Sequence, residues 1–433
     1  MQEPSGQATN GSPDYQAFAK WTAGRQISSL GTNDGSPALP FQKWHKFKEA
    51  YTPELVAKAV QLSPIPVRNC YDPFGGSGTT ALASQFLGAN SETVEVNPFL
   101  ADVIRSKLEY YDVDNLTRAL AHIRHKTRVG AGEPLAHFAG LPPTFLPPGR
   151  NGRWIFDQPI AERLAALLTA IDSLSDPKAI RLFRVIVGGL LVDVSNVVVS
   201  GKGRRYRRGL SSEGRDPSSV ESLFATRASQ AIRDINTFND RPRVDANVIE
   251  GDARQNVPTS PIDLCVFSPP YPNSFDYTDV YNLELWMLGY LRDMRENRLL
   301  RQSTLSSHVQ VLRSYASRPS GSTHLDEMST RLRNVGPTLW NKRIPEMVDT
   351  YFRDMLDVLH NVGLALTTGG QIWMVVGDSR YGGVTVPVAS ILCELSAANG
   401  WVVESSEPIR HMRSSAQQGG NADLPESLII LSR

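Results

Sequence analysis

The sequence predicts an α/β fold of Rossmann type, in which a mostly parallel, twisted sheet ends in an antiparallel last strand and carries helical insertions. Three observations predict it. Short apolar segments of strand type alternate with helical segments, as in chains that build a parallel sheet. A glycine-rich turn at 72–78 links the first strand to a helix. Another strand, at 262–267, is followed closely by Pro269 and Pro270, which have no N–H and cannot continue a strand ladder.

Length and composition limit the classes of protein to consider. The chain has 433 residues and a formal net charge of +1, with 41% hydrophobic and 21% charged residues. This is the composition of an ordinary soluble chain, and the length allows two or three domains of about 150 residues each. No apolar run reaches about 18 residues, so no membrane span is expected. The N-terminus lacks the basic and apolar segments of a secretory signal.

Three cysteines, Cys70, Cys265 and Cys393, fall in predicted strands and a predicted helix. Small buried hydrophobic side chains are the preferred interpretation, and neither a metal site nor a disulfide framework is expected. A reduced, cytoplasmic setting is therefore expected, because disulfides belong mainly to oxidising compartments.

The first 112 residues contain a tail, an arm and the first half of the sheet. Residues 1–40 are the tail and arm, and 1–14, rich in Gly, Ser, Pro and Asn, are expected to be disordered. Residues 41–112 carry the first sheet elements. The predicted elements are helices at 15–23 and 53–61, with Thr52 as the N-cap of the second, then a strand at 67–71, a helix at 81–87, a strand at 93–96 and a helix at 99–108.

A largely helical insertion is predicted at 113–244, with helices at 115–127, 161–174, 177–192 and 218–238. Before its last helix, five of the seven residues at 202–208 are cations, namely Lys202, Arg204, Arg205, Arg207 and Arg208. Such a run indicates either a solvated loop or a loop that contacts nucleic-acid phosphates. This insertion is the candidate target-recognition part of the chain.

The rest of the sheet is predicted within 245–433, interrupted by an insertion rich in Arg and Ser at 292–344. Arg410 and Arg413, in the loop expected between the last two strands, are a second candidate for phosphate or base contact. An aromatic stripe on a predicted helix at 278–291 is assigned to core packing. The strands are expected at 246–250, 262–267, 371–376, 401–407 and 427–431, with the last two as an antiparallel pair.

Residues that follow three of the strands indicate a nucleotide-like ligand at the carboxyl edge of the sheet. The turn at 72–78 lets backbone approach such a ligand, and it is not a P-loop because the Gly-Lys-Ser/Thr ending is missing. Glu95 can bind ribose hydroxyls from the end of the second strand. The loop from Ser268 to Tyr271 offers rigid carbonyls, a hydroxyl and an aromatic face, which suit the exocyclic amine of a planar base.

In combination these segments resemble the amino-methyltransferases that use S-adenosyl-L-methionine on the N4 of cytosine or the N6 of adenine in DNA. The resemblance implies a class I methyltransferase fold and cofactor contacts from segments that match the family's motifs in order. The expected cofactor-binding residues are Lys46, Phe47, Thr52 and Pro53; Asp72, Pro73, Phe74, Gly75, Gly76, Ser77, Gly78 and Thr79; Glu95, Val96 and Asn97; and Asp252, Ala253 and Ser268.

The resemblance also implies the reaction. Ser268, Pro269, Pro270 and Tyr271 match the family's catalytic motif, whose serine variant indicates a site-specific cytosine-N4 methyltransferase of restriction-modification type. Adenine N6 is the first alternative, and an RNA amino-methyltransferase or a catalytically silent cofactor-binding subunit are the others. Duplex DNA is the expected partner, and any restriction or defence activity would lie on a separate subunit. The recognition sequence and the oligomeric state stay open.

The expected mechanism is direct methyl transfer to a base flipped out of the duplex. The Ser268 hydroxyl and the Pro269 carbonyl would accept hydrogen bonds from the amine and stabilise the positive charge that grows on its nitrogen. Tyr271 would stack on the base, with Phe275 and Tyr277 as further stacking surfaces. Asp276 is close enough in sequence to relay a proton, although a solvated loop position is the preferred interpretation.

Overall fold

A computed structural model of the chain describes residues 12–27, 29–33, 35–129, 137–138, 140–200, 203–207, 215–413 and 423–433. Within these residues, seven strands form one twisted sheet, and β8 (Ser379–Tyr381) and β9 (Val384–Val386) form a separate antiparallel hairpin. The strands of the sheet are β1 (Asn69–Asp72), β2 (Asn90–Glu95), β5 (Ala246–Glu250), β6 (Ile262–Phe267), β7 (Leu366–Gly377), β10 (Val402–Arg413) and β11 (Asp423–Ser432). Their order is β10-β11-β7-β6-β1-β2-β5, and β11 runs antiparallel to β7 and β10 while the other pairs are parallel. The predicted fold class is confirmed.

Helices cover both faces of the sheet. The first face carries helices from residues 15–287, and the second face carries helices from residues 323–398. The helices are α1 (Tyr15–Thr22), α2 (Pro53–Leu62), α3 (Thr79–Phe86), α4 (Pro98–Leu108), α5 (Val113–Val129), α6 (Gln158–Asp172), α7 (Pro177–Val194), α8 (Ser218–Thr237), α9 (Tyr277–Val280), α10 (Asn282–Met287), α11 (Met294–Gln302), α12 (Thr323–Val335), α13 (Ile344–Ala365) and α14 (Val388–Ala398). None of these helices is long and apolar enough to cross a membrane.

The central strand β6 supplies both hydrophobic cores by simple alternation. Leu264 and Val266 pack into the core on the first face, whereas Cys265 and Phe267 pack into the core on the second. Successive strand side chains point to opposite faces, so a strand buried on both sides reads as a continuous apolar run. Burial on both faces holds the end of β6, and hence the loop that follows it, in a rigid position.

The arm before the sheet is packed against the first core. Trp21 of α1 is 1% exposed and stacks on Phe86 of α3 with ring centroids 4.6 Å apart. The short helix predicted in the arm is therefore present. Asp14 caps α1 by accepting a hydrogen bond from the Ala17 N–H. Residues 1–11, which carry most of the predicted disordered tail, lie outside the described residues.

The first insertion adds α5 to α8 to the same core as the sheet. The prediction of a plain loop at its basic run is wrong, because β3 (Val197–Ser200) and β4 (Gly203–Tyr206) pair as an antiparallel hairpin. The β-branched run of Val197 to Val199 favours this strand pairing. The hairpin thus carries part of the basic run on a strand.

The single helix predicted at 278–291 is also wrong. The segment forms α9 and α10, separated at Tyr281, whose φ of −99° and ψ of 22° are not helical. Asp276 starts α9 by accepting hydrogen bonds from the Thr278 and Asp279 N–H groups. The Tyr281 hydroxyl is held from outside by Glu49 at 2.5 Å. Tertiary contacts at both ends therefore override the helical periodicity.

Candidate cofactor and active site

A cavity of about 390 Å³ opens at the carboxyl edge of the parallel strands β1, β2, β5 and β6. The loop after each of these strands contributes to its lining, as the sequence predicted for this edge. Among the residues proposed from sequence, those that line it are Phe47, Asp72, Pro73, Phe74, Gly75, Gly76, Ser77, Thr79, Glu95, Val96, Asn97, Asp252, Ala253, Ser268, Pro269, Pro270, Tyr271 and Arg410. Their individual roles stay predictions.

The glycine loop between β1 and α3 brings backbone close to the cavity. Gly76 has a φ of +53°, which residues with a side chain rarely adopt. A Cβ at Gly75 would collide with the side chains of Thr93 and Ile104. The loop therefore lies tightly against β2 and α4, and its peptide groups, rather than side chains, face the space where a ligand fits.

Glu95 joins β2 to this loop. Its carboxylate accepts hydrogen bonds from the Gly76 N–H at 2.6 Å and from the Asn97 N–H at 2.8 Å. The side chain is 7% exposed, and burial raises the pKa of Glu95 to about 7 even though both N–H groups oppose the shift. A buried acid held at the rim of a cavity can accept further hydrogen bonds from ligand hydroxyls.

Asp72 ends β1 and is held by its neighbours. Its carboxylate accepts a hydrogen bond from the Phe74 N–H at 2.9 Å and one from the Tyr51 hydroxyl at 3.3 Å. Burial raises the pKa of Asp72 to about 7. The Tyr51 hydroxyl oxygen also contacts Thr80 and lies 3.1 Å from the Val266 carbonyl oxygen. Asp72 therefore braces the ends of β1 and β6 against each other.

Asp252 follows β5 in a network of charges. Arg254 binds it with its Nε at 2.9 Å and a terminal nitrogen at 2.6 Å, and also reaches Asp354 of α13 at 3.1 Å. A bidentate ion pair fixes the plane of a carboxylate. Asp252 thus presents an oriented acceptor at the cavity wall.

The segment at 47–51 forms a wall of the cavity beside the glycine loop. Phe47 stacks on Tyr281 with ring centroids 5.0 Å apart, and the Lys48 ammonium donates to the Val199 carbonyl of β3 at 3.1 Å. Burial raises the pKa of Glu49, whose carboxylate accepts a hydrogen bond from the Tyr281 hydroxyl. The first insertion, through its hairpin, therefore supports this wall.

Four predicted cofactor residues do not line the cavity, namely Lys46, Thr52, Pro53 and Gly78. Thr52 and Pro53 begin α2, which turns away from the cavity into the first core. The Thr52 side chain does not cap this helix as predicted, because its hydroxyl donates to the Leu30 carbonyl at 3.4 Å. Gly78 faces Ile104 of α4.

The loop after β6 brings the four predicted catalytic residues to the cavity. Ser268 and Tyr271 are half-buried, and their hydroxyl oxygens lie 3.1 Å apart. The Tyr271 hydroxyl donates to Glu426 of β11 at 2.8 Å, and Arg410 of β10 forms a bidentate ion pair with the same carboxylate. Tyr381 adds a brace by donating to the Pro272 carbonyl at 2.9 Å.

The second insertion closes another side of the cavity with Ser303, Thr304, Leu305, Ser307 and His308. The preferred prediction of a solvated Asp276 is wrong. This side chain is 6% exposed and accepts a hydrogen bond from Arg301 at 2.7 Å. Burial lowers the pKa of His308 to about 4, with Arg313 and Arg301 acting in the same direction. His308 is therefore neutral near pH 7.

Several of the basic residues proposed to bind nucleic acid already have partners within the protein. Arg204 is 17% exposed and pairs with Asp279 at 3.6 Å, and Arg207 donates to the Ser195 and Val192 carbonyls. Arg205 is exposed. Arg410 lies in β10, not in a loop, and its guanidinium is committed to Glu426. Lys202, Arg208 and the Arg413 side chain lie outside the described residues.

A buried lysine of α4, Lys107, holds the glycine loop through a backbone carbonyl. Lys107 of α4 is 0% exposed, and its ammonium donates to the Ser77 carbonyl at 2.6 Å and to the Gln42 side chain at 2.8 Å. Burial lowers the pKa of Lys107 to about 7. Nothing in the sequence distinguished this lysine from those on a solvated helix face.

Comparison with known proteins gives relatives that match most of the chain. The Type II methyltransferase M.BsoBI of Geobacillus stearothermophilus is 25% identical, covering 94% of this chain and 88% of that protein. M.AvaI of Nostoc sp. strain PCC 7120, also a Type II methyltransferase, is 23% identical over 88% of this chain and 82% of its own length. The chain is similar to Type II methyltransferases over most of its length. This similarity supports the predicted methyltransferase class and S-adenosyl-L-methionine as the cofactor.

Other comparisons add little. No protein-family profile matches the chain. Among solved structures, the rRNA methyltransferase aviRa from Streptomyces viridochromogenes covers 97% of this chain and 92% of its own, with 9% identity and a TM-score of 0.29. A likeness at that level carries no argument about function.

Proposed function

We propose that the protein is a site-specific DNA methyltransferase that transfers a methyl group from S-adenosyl-L-methionine to the exocyclic N4 of cytosine. One observation carries the proposal. Ser268, Pro269 and Glu95 line the same cavity, together with the glycine loop. A methyl donor and a target amine can therefore meet in one cavity. Similarity to Type II methyltransferases supports DNA as the substrate.

The polar groups that line the cavity fit the cofactor. Glu95 is a buried acceptor for the ribose hydroxyls, and Asp252 is an oriented acceptor for the adenine amine. The loop at Gly75 and Gly76 lets the ligand approach backbone closely, and the Phe47 ring packs beside Gly76 in the cavity lining. When bound, the cofactor supplies an electrophilic methyl carbon on a sulfonium sulfur.

The loop after β6 acts on the target amine. The lone pair of that nitrogen is delocalised into the ring, so it is a weak nucleophile. Hydrogen bonds from its two N–H groups to Ser268 Oγ and the Pro269 carbonyl favour a pyramidal nitrogen and stabilise its developing positive charge. The cofactor, held by Glu95 and Asp252, would supply its methyl carbon to this nitrogen and keep the electron pair of the broken carbon–sulfur bond on sulfur. One proton then leaves the nitrogen for water.

Access to the amine requires the base to leave the duplex, at a cost of a few kcal/mol. In this proposal the Tyr271 ring stacks on the flipped base and offsets part of that cost. Phe275 lines the same cavity, although it is 6% exposed. The stacking prediction for Tyr277 concerns a side chain outside the described residues.

Nucleoside mass spectrometry of DNA incubated with the protein and labelled cofactor tests the proposal. The expected product is N4-methylcytosine in duplex DNA, absent when Ser268→Ala replaces the wild type under the same short incubation. N6-methyladenine would make adenine the target while keeping the mechanism. Methylation of RNA alone, or no transfer to any nucleic acid, would overturn the proposal in favour of an RNA enzyme or a silent subunit.

The setting of the reaction is proposed on the same basis. The similarity to Type II methyltransferases agrees with a role in restriction-modification. A cytoplasmic location, a separate restriction or defence subunit and the domain boundaries at 40, 112 and 244 stay predictions.

A further inference from the structure

A chain of hydrogen bonds leads from the sheet edge to the proposed catalytic hydroxyl. Arg410 donates to Glu426 with a terminal nitrogen at 2.9 Å from Oε1, and its Nε binds the second oxygen. The Tyr271 hydroxyl lies 2.8 Å from Glu426 Oε1, and Ser268 Oγ lies 3.1 Å from the Tyr271 oxygen. The hydrogen bonds thus run Arg410, Glu426, Tyr271, Ser268, and all four residues line the cavity.

The register of the sheet makes this chain reach the catalytic loop. Glu426 pairs with Gly377 of β7 on one side and with Arg410 of β10 on the other. Because β11 runs antiparallel, its first residues lie at the same edge as the last residues of the parallel strands. The carboxylate is 2% exposed, so the protein rather than water determines its partners.

The chemistry of the four groups allows the series of hydrogen bonds to run in one direction. A guanidinium only donates and an ionised carboxylate only accepts, so Tyr271 must donate its single hydroxyl proton to Glu426. The Tyr271 oxygen then has only lone pairs to offer Ser268, and the contact between them forms only if Ser268 donates. That donation uses the single proton of Ser268 Oγ and leaves its lone pairs for another donor.

We propose that Glu426 is a positioning residue which, acting through Tyr271, orients the Ser268 hydroxyl as a hydrogen-bond acceptor toward the target amine. The inference rests on the proposed function, in which that amine donates to Ser268. Without the carboxylate, the Ser268 proton can turn toward the amine, where it competes with the N–H that must be bound. Glu426 therefore acts on the transfer step, and the cofactor contacts of Glu95 are independent of it.

Two variants break the chain while keeping side-chain size. Glu426→Gln replaces an acceptor-only group by an amide that also donates, so the direction of the chain is no longer imposed. Tyr271→Phe removes the hydroxyl and keeps the ring that stacks on the base. Each is expected to slow single-turnover methylation roughly tenfold, the effect of one hydrogen bond to a charged or polarised group. Cofactor affinity, measured by calorimetry, is expected to stay at the wild-type value.

The decisive measurement repeats both substitutions in a Ser268→Ala background. If Glu426 acts through the Ser268 hydroxyl, neither substitution slows the residual rate further. If Glu426 only stabilises the loop, each substitution lowers the rate of the Ser268→Ala protein by the same factor as in the wild type. The second result would overturn the inference, as would a wild-type rate for both single variants.

Tyr290→Phe is the matched control. The Tyr290 hydroxyl also donates to a carboxylate, Asp102, at 2.7 Å, but neither residue lines the cavity. Its rate is expected to match the wild type, whereas a tenfold loss in this variant would mean that the assay reports folding. Failure of the proposed function is distinguished separately, because it would appear as absent methylation in the wild-type protein.

Discussion

The Glu95 carboxylate accepts a hydrogen bond from the Gly76 N–H at 2.6 Å, which joins the end of β2 to the glycine loop. The same oxygen pair also holds the Asn97 N–H at the start of α4. The proposed ribose contact would therefore use an acid that already organises two backbone segments.

Glu95→Ala is expected to weaken S-adenosyl-L-methionine binding by about 1–3 kcal/mol, the range for losing hydrogen bonds to a charged group. Isothermal titration calorimetry measures this directly. Glu92→Ala is the control, because Glu92 is buried on the same strand and accepts the Thr259 N–H at 2.8 Å without lining the cavity. Equal cofactor affinity for the wild type and a folded Glu95→Ala protein would contradict the assignment.

The affinity for the cofactor is expected to rise between pH 6 and pH 8. The pKa of Glu95 is raised to about 7 by burial, so the acid loses its proton in this window and becomes a better acceptor for ribose hydroxyls. Glu95→Gln has no proton to lose and should flatten this part of the pH dependence. The prediction is wrong if wild type and variant show parallel pH profiles.

The same raised pKa sets the sign of its effect on folding. The folded protein holds the Glu95 proton above the ordinary pKa of 4.5, where the unfolded chain has lost it. Protonated Glu95 therefore contributes fully to the free energy of unfolding below pH 4.5. This contribution is lost as the pH rises through about 7.

Lys107 is expected to make the free energy of unfolding rise with pH above neutrality. Burial lowers its pKa from 10.5 to about 7, so between these values the unfolded chain binds more protons than the folded protein. Urea denaturation at pH 7 and pH 9 should show an increase of about 2–3 kcal/mol that Lys107→Met lacks. Lys178→Met, at an exposed lysine of α7, should keep the wild-type increase. An unchanged increase in Lys107→Met would contradict the buried-cation account.

Arg205 is the best remaining candidate for phosphate contact on the basic hairpin, because it is exposed while Arg204 and Arg207 have partners in the protein. Arg205→Ala is expected to weaken DNA binding for all sequences and to lower the salt slope by about one counterion. Fluorescence anisotropy across a salt series measures both. Arg331→Ala, an exposed cation of α12 on the opposite face, is the control. Identical slopes for the wild type and Arg205→Ala would make the hairpin an ordinary solvated surface.

Local patterns were sufficient to predict the parts of the site that follow strands. Glu95, Asp252 and Ser268 each lie directly after or at the end of a strand, and parallel strands bring such residues to one edge. The fold class follows from the same alternation. These features depend on residues close together in the chain, where periodicity and turn chemistry are visible.

Residues brought in by tertiary pairing could not be predicted in this way. Glu426 meets Tyr271 across 155 positions, and only the register of β11 decides that it faces the catalytic loop. Tyr281 belongs to a stripe typical of a buried helix, yet its hydroxyl binds Glu49 and its ring stacks on Phe47. The loop predicted at Arg410 was wrong for a related reason, because Arg410 lies in β10 and its partner Glu426 lies on the neighbouring strand.

The central claim is that the Ser268 hydroxyl accepts a hydrogen bond from the target amine as positive charge develops there. Single-turnover methylation of duplex DNA by Ser268→Ala, with cofactor affinity measured on the same protein, tests it most directly. We expect the transfer barrier to rise by about 2–4 kcal/mol, the effect of removing one preorganised hydrogen-bonding group, with cofactor affinity unchanged. A Ser268→Ala protein that transfers methyl groups at the wild-type single-turnover rate would contradict the account.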